Sequence, residues 1–175
     1  MPAMTSPYES LLNLPAIARI RRNHGLEHAT LHLLSQHHPK RSLAGHSDVG
    51  GFWILGDVPI DELQEAIEAA LARLRKGERQ LAVHPNCGTN FVTAGILAGL
   101  AAGLAMFGGR SFRDKVERLP LAMTLATVAL IVAQPLGSFL QERVTTSGEP
   151  GNLHVVEVVA SRRGRLQAYR IVTRE

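Results

Sequence analysis

Two uncharged apolar runs, separated by a short charged segment, constrain this chain most. Residues 91–109, "FVTAGILAGLAAGLAMFGG", and 119–140, "LPLAMTLATVALIVAQPLGSFL", contain no Asp, Glu, Lys or Arg. Each approaches the ~20 residues an α-helix needs to cross ~30 Å of hydrocarbon. The intervening "RSFRDKVER" reads as a short charged loop that forces an antiparallel return. A buried helical hairpin of a soluble, Ala-rich protein would share this pattern. Two successive uncharged segments of spanning length favour a two-helix membrane anchor instead. Gly95, Gly99 and Gly103 repeat at a four-residue interval that lets helices approach closely in lipid. Ala129, Ala133 and Gly137 offer a matching ridge on the second span, and the same small-residue faces could join two copies of the chain.

The remaining sequence reads as a small α+β domain interrupted by this hairpin. Residues 1–90 form its main part, 91–140 the membrane hairpin, and 141–175 a returning β-hairpin that packs on the soluble domain. "LPAIARIRRNHGLEHATLHLLSQHH" is a helix ending before Pro39, followed by a loop, "PKRSLAGHSDVGG", and a short strand at "FWIL". A second helix over "IDELQEAIEAALARLRKGE" places Leu63, Ile67, Leu71 and Leu74 on one face, opened by Pro59 and closed by Gly77. "QLAV" reads as another short strand. "LHVVEVVA" and "LQAYRIVT" flank "SRRGR" as a β-hairpin.

Charge sets the partners. The net charge of +4 and a pI near 9.8 come from arginines beside the apolar spans or near the C-terminus, without interleaved aromatics, so nucleic acid is not an expected partner. The lipid bilayer is. One cysteine excludes an internal disulfide, and the N-terminus shows no signal peptide. The positive-inside rule acts on both sides of the hairpin: Arg110, Arg113, Lys115 and Arg118 in the loop oppose Arg73, Arg75, Lys76, Arg79 and Arg143 outside it. Without a signal to export the N-terminal part, the expected location is the inner (cytoplasmic) membrane, with the soluble domain facing the cytoplasm.

"HGLEHATLH" carries the chemistry. His24 and His28, four apart, project from one helical face and can share a metal ion. Glu27 is close enough to act on a water at that metal. The H-x-x-E-H order inverts the H-E-x-x-H signature of zinc peptidases, in which neutral imidazoles keep the zinc Lewis-acidic and the carboxylate takes the water's proton. His32 extends the stripe but drifts around the helix. Two imidazoles need at least a third ligand, and "HPNCGTN" supplies His84 and Cys87 just before the first span. The helix N-terminus there favours a thiolate. Equally, Thr89 or Asn90 could cap that helix and leave Cys87 a bystander.

The pair "HGLEH" and "HPNCGTNF", the second leading into an apolar span, resembles the YqhQ-like family of bacterial membrane proteins described as predicted metal-dependent enzymes. The resemblance covers roughly residues 20 to 110. It implies His24, Glu27, His28, His84 and Cys87 as the site, framed by Gly88, Thr89 and Phe91. The two-span length and "GHSDVGGFWILGDVP" depart from that pattern. His46 and Asp48 read as turn residues of a Gly-rich loop, His37 and His38 as complements to a helix C-terminus, and His154 as structural. No nucleophile elbow or P-loop occurs, and Cys87 lacks an evident orienting acid for a nucleophilic role.

Two functions follow as expectations. In one, a membrane-anchored, peptidase-like hydrolase binds Zn2+ through His24, His28 and one of His84 and Cys87, leaving a position for water, with Glu27 as catalytic base. In the other, a closed four-ligand zinc site is purely structural and the protein acts as a scaffold.

Overall fold

A computed structural model describes residues 7–164 and 166–175, and the chain divides into two compact units. One comprises the chain up to His84 together with Glu142–Glu175; the other is Pro85–Gln141.

The first unit is α+β. A short helix α1 (Pro7–Leu12) leads into α2 (Pro15–His37), then strands β1 (Ala44–Asp48) and β2 (Gly51–Leu55). Helix α3 (Ile60–Arg75) and a 3-10 turn (Arg79–Ala82) follow, and β3 (His154–Arg163) and β4 (Leu166–Arg174) complete the unit. The four strands form one antiparallel sheet in the order β1-β2-β4-β3, so the C-terminal hairpin inserts β4 beside β2. The core joins Leu26 and Leu34 of α2 to Leu63 and Ile67 of α3, and these to Phe52, Ile54 and Ile171 of the sheet, all essentially inaccessible. The apolar spacing on α3 thus buries the face expected of it. Asn23 fastens α2 to strands β1 and β4 beside the β1–β2 turn: its Nδ2 donates to the Asp48 carbonyl at 2.8 Å, and its Oδ1 accepts from Thr173 Oγ1 at 2.7 Å.

Two local expectations fail here. "AGHSD" is strand β1, although it lacks the β-branched and aromatic residues that mark strands in isolation. Pairing with β2 imposes the extended form, with His46 opposite Trp53 and Asp48 opposite Gly51. "RQLA" is a 3-10 turn rather than a strand. Gly77 adopts φ +93°, reversing the chain after α3, and a tight turn then buries Leu81 and Ala82.

The second unit consists of α4 (Gly88–Met106) and α5 (Phe112–Leu140), both long and apolar enough to cross a membrane. Helix α5 starts before the apolar run, so most of the charged segment is its first turns. Ser111 caps it: Asp114 N donates to Ser111 Oγ at 3.1 Å and Asp114 Oδ2 accepts from Ser111 N at 3.2 Å, a reciprocal capping box. Arg118 reaches back to the end of α4, donating to the Phe107 carbonyl at 2.6 Å.

The small residues that join α4 to α5 are mostly alanines. Ala122, Ala133 and Gly137 of α5 are buried, as is Ala105 of α4. A Cβ on Gly137 would lie 2.6 Å from Asn90 Oδ1, whereas one on Gly95, Gly99 or Gly103 would meet nothing within 4 Å. The glycine ridge of α4 therefore does not form the intrachain contact.

Candidate metal centre

Helix α2 positions three imidazoles and a carboxylate, and each imidazole is held by a backbone carbonyl from a distant segment. His24 Nδ1 lies 3.0 Å from the Thr145 carbonyl, and His28 Nδ1 lies 2.8 Å from the Ala82 carbonyl. A carbonyl only accepts, so each Nδ1 carries a proton, and in the neutral ring Nε2 is the nitrogen that offers a lone pair. His32 is oriented the other way, with Nε2 donating to the Val83 carbonyl at 2.8 Å, so its Nδ1 is the basic nitrogen. Backbone carbonyls in this role fix ring orientation and tautomer around metal sites.

The rings form a continuous row. Centroids of His24 and His28 are 4.3 Å apart, those of His28 and His84 5.7 Å, and those of His84 and His32 4.9 Å. Burial, with the neighbouring charges of His28 and His32, lowers the His84 pKa from 6.5 to about 4. His84 is accordingly a neutral imidazole throughout the physiological range. Four clustered imidazoles, three of them oriented by backbone carbonyls, suit a borderline-soft metal. Within this unit, the rings of His24, His28, His84 and His32 lie side by side, while Glu27 turns its carboxylate to β1.

Gly25 explains the second letter of "HGLEH". A Cβ there would sit 2.0 Å from the Ser147 carbonyl oxygen, because the 145–147 segment lies directly on α2. Ser147 N also donates to the Arg21 carbonyl at 2.9 Å. This close approach delivers the Thr145 carbonyl to His24.

Glu27 is buried at 3% exposure, and both its oxygens face β1. Ser47 Oγ donates to Oε2, while Oε1 lies against Gly45, where a Cβ would come within 2.1 Å. Burial raises its pKa; the Ser47 hydroxyl and the nearby His24 pull it partly back. Ser47 and Gly45 lay in the segment read as a loop, so neither was evident as a partner for Glu27.

Other histidines are accounted for elsewhere. His38 Nε2 pairs with Glu62 of α3. His154 Nδ1 lies 3.2 Å from the Asn152 carbonyl, in keeping with a structural place at the start of β3. Asp48 accepts two 2.8 Å hydrogen bonds from Arg170 and one from Gly50 N at 2.7 Å, so it serves the sheet. In the second unit, Cys87 is the N-cap of α4, with Sγ accepting from Thr89 N at 3.4 Å. Asn90 instead donates to the Pro85 carbonyl at 2.8 Å and accepts from Gln141 at 2.7 Å.

Comparison with known proteins gives a family without an assigned activity. Residues 19–158 match DUF6391, a domain of unknown function. An uncharacterized protein of Picosynechococcus sp. is 37% identical over 149 residues, covering 79% of this chain and 71% of the relative. No solved structure matches the chain. An uncharacterised bacterial family is thus the level of kinship reached, and the YqhQ-like pattern remains a likeness of motifs.

Proposed function

From the premise that this chain belongs to the DUF6391 family, we propose that it is a membrane-anchored metalloprotein in which His24 and His28 hold a zinc ion through Nε2. The anchored tautomers carry this reading: two Nδ1–H groups committed to carbonyls leave two Nε2 lone pairs on one helical face. Cys87 is the proposed third donor. It follows His84 by three residues, and the covalent chain alone keeps it within about 10 Å of that histidine. Two imidazoles and a thiolate form a zinc-compatible set that leaves a fourth position for His84 or for water.

The favoured activity is hydrolysis, on a peptide-like substrate. Zinc so held would supply a Lewis acid and an acidified water. Glu27, one turn along the same helix, would accept the proton at Oε1, its other oxygen being engaged by Ser47. A specific observation supports the non-catalytic alternative: the carboxylate lies against β1, and burial raises its pKa, disfavouring the charged form a general base needs. On that reading the same zinc only ties the histidines together. The two apolar helices support insertion in a membrane; we place them in the inner membrane, with the first unit on the cytoplasmic side, following the sequence expectation.

The test is metal content and zinc-edge absorption spectroscopy on purified protein, with and without chelator. A mixed nitrogen–sulfur shell with one oxygen supports the hydrolase. A shell closed by four protein ligands supports the structural reading, and protein that holds no stoichiometric metal ends both.

A further inference from the structure

We propose that the first unit holds a second, separate site that binds an oxyanion of the phosphate type, in a cavity walled by Arg21, Arg22, Arg79 and Arg143. The cavity measures about 440 Å³, which accommodates a phosphate group with the polar part of a larger molecule. Four arginines line it against two carboxylates, Glu142 and Glu149. Arg79 pairs with Glu149 at 2.5 Å, and Arg22 with Glu175 at 2.8 Å. Arg21 differs from both. Among the described residues it makes no ion pair, and its buried Nε–H has no protein acceptor.

A buried guanidinium N–H without an acceptor is costly, and buried cations are ordinarily matched by an anion. One Nη2 of Arg21 is already used, donating to the Arg143 carbonyl at 3.1 Å. That bond draws the two residues together on the cavity wall. Burial also lowers the Arg21 pKa, the direction an incoming anion would reverse. Arginine forks approaching from several sides match a tetrahedral oxyanion better than a lone carboxylate. Ser147 and Gly148 add polar backbone to the same wall. Ala82 and Val83, whose carbonyls hold His28 and His32, line it as well. The site requires neither the metal nor Glu27.

Because Arg143 follows α5 closely in the chain, the phosphate could belong to a soluble molecule or to a lipid headgroup. The full chain would be studied in neutral detergent micelles with inorganic phosphate, using chloride at equal ionic strength as control. The same protein would be compared in nanodiscs of phosphatidylcholine with and without phosphatidylglycerol. A rise in melting temperature with phosphate, at least tenfold weaker in Arg21→Gln, supports the site with a soluble ligand. A rise only with phosphatidylglycerol, again lost in Arg21→Gln, supports it with a lipid headgroup. Should Arg21→Gln fail to fold, Arg79→Gln on the more exposed wall must weaken the same response. No response to either phosphate source, or a response unchanged in both variants, overturns the proposal.

Discussion

His24 Nδ1 and the Thr145 carbonyl, 121 positions apart in the chain, lie 3.0 Å from each other. This bond spans the apolar helices in sequence and sets the face His24 offers a metal. It depends on Gly25, because no larger residue lets the 145–147 segment rest on α2. Gly25→Ala should therefore lower stability by about 2 kcal/mol or more and weaken metal binding at least tenfold. Chelator competition and thermal melts on the same preparation check this. Unchanged metal affinity would detach the Thr145 bond from the site.

Replacing His24 or His28 by alanine should remove most of the zinc, since one imidazole and a thiolate hold it poorly. Cys87→Ser should weaken binding less, because His84 can occupy the vacated position. Elemental analysis of the three variants decides the order. Zinc retained in the double variant His24→Ala, His28→Ala would place the metal elsewhere.

Glu27→Gln separates catalysis from structure. The hydrolase predicts full zinc content and no turnover; the structural reading predicts full zinc content and intact cellular function. In both cases metal-free Glu27→Gln should be at least as stable as wild type near pH 7. A carboxyl whose pKa is raised in the fold loses stability as pH climbs past its unfolded value of about 4.5, and an amide is free of that loss. Lower stability near pH 7 in metal-free melts would mean that the Ser47 bond outweighs the cost of burying the carboxylate.

Acid should act on His84 in the opposite sense. Its pKa is about 4 in the fold against 6.5 ordinarily. Between those values the unfolded chain carries a proton that the folded chain refuses, so stability rises with pH across the window. Acidifying from pH 7 should cost metal-free protein on the order of 2 kcal/mol once solvent screening of the half-exposed ring is allowed for, saturating near pH 4. His84→Gln should lack this component. The difference between the two pH–stability profiles is the measurement, and parallel profiles would refute it.

Gly99→Leu should leave the α4–α5 hairpin intact, whereas Gly137→Leu should disrupt it, because only Gly137 meets a neighbour, Asn90. If the outward glycine ridge pairs two copies of the chain, Gly99→Leu should instead lower the mass of the detergent-solubilised particle. Light scattering alongside thermal melts reads both effects. A hairpin destabilised by Gly99→Leu would contradict the packing described here.

The local code was enough for the long helices and for singling out the histidines of α2. A run of apolar residues carries its own length, a four-residue spacing puts His24 and His28 on one face, and "SRRGR" between alternating apolar runs makes a hairpin, all through interactions a few positions apart. Strand β1 was not legible because "AGHSD" has no intrinsic preference for extension; β2 pairs with it and decides the matter. The same pairing brings Ser47 and Gly45 to Glu27, which no spacing within α2 could indicate. His32 looked misplaced on the helix until the turn after α3 brought His84 beside it. Which imidazole nitrogen faces outward was likewise settled only by carbonyls from Ala82 and Thr145. Sequence thus determined which side chains carry metal-ligating chemistry, because that is a property of each residue type. Tertiary structure alone decided how they are aimed, because aim depends on backbone brought from elsewhere in the chain.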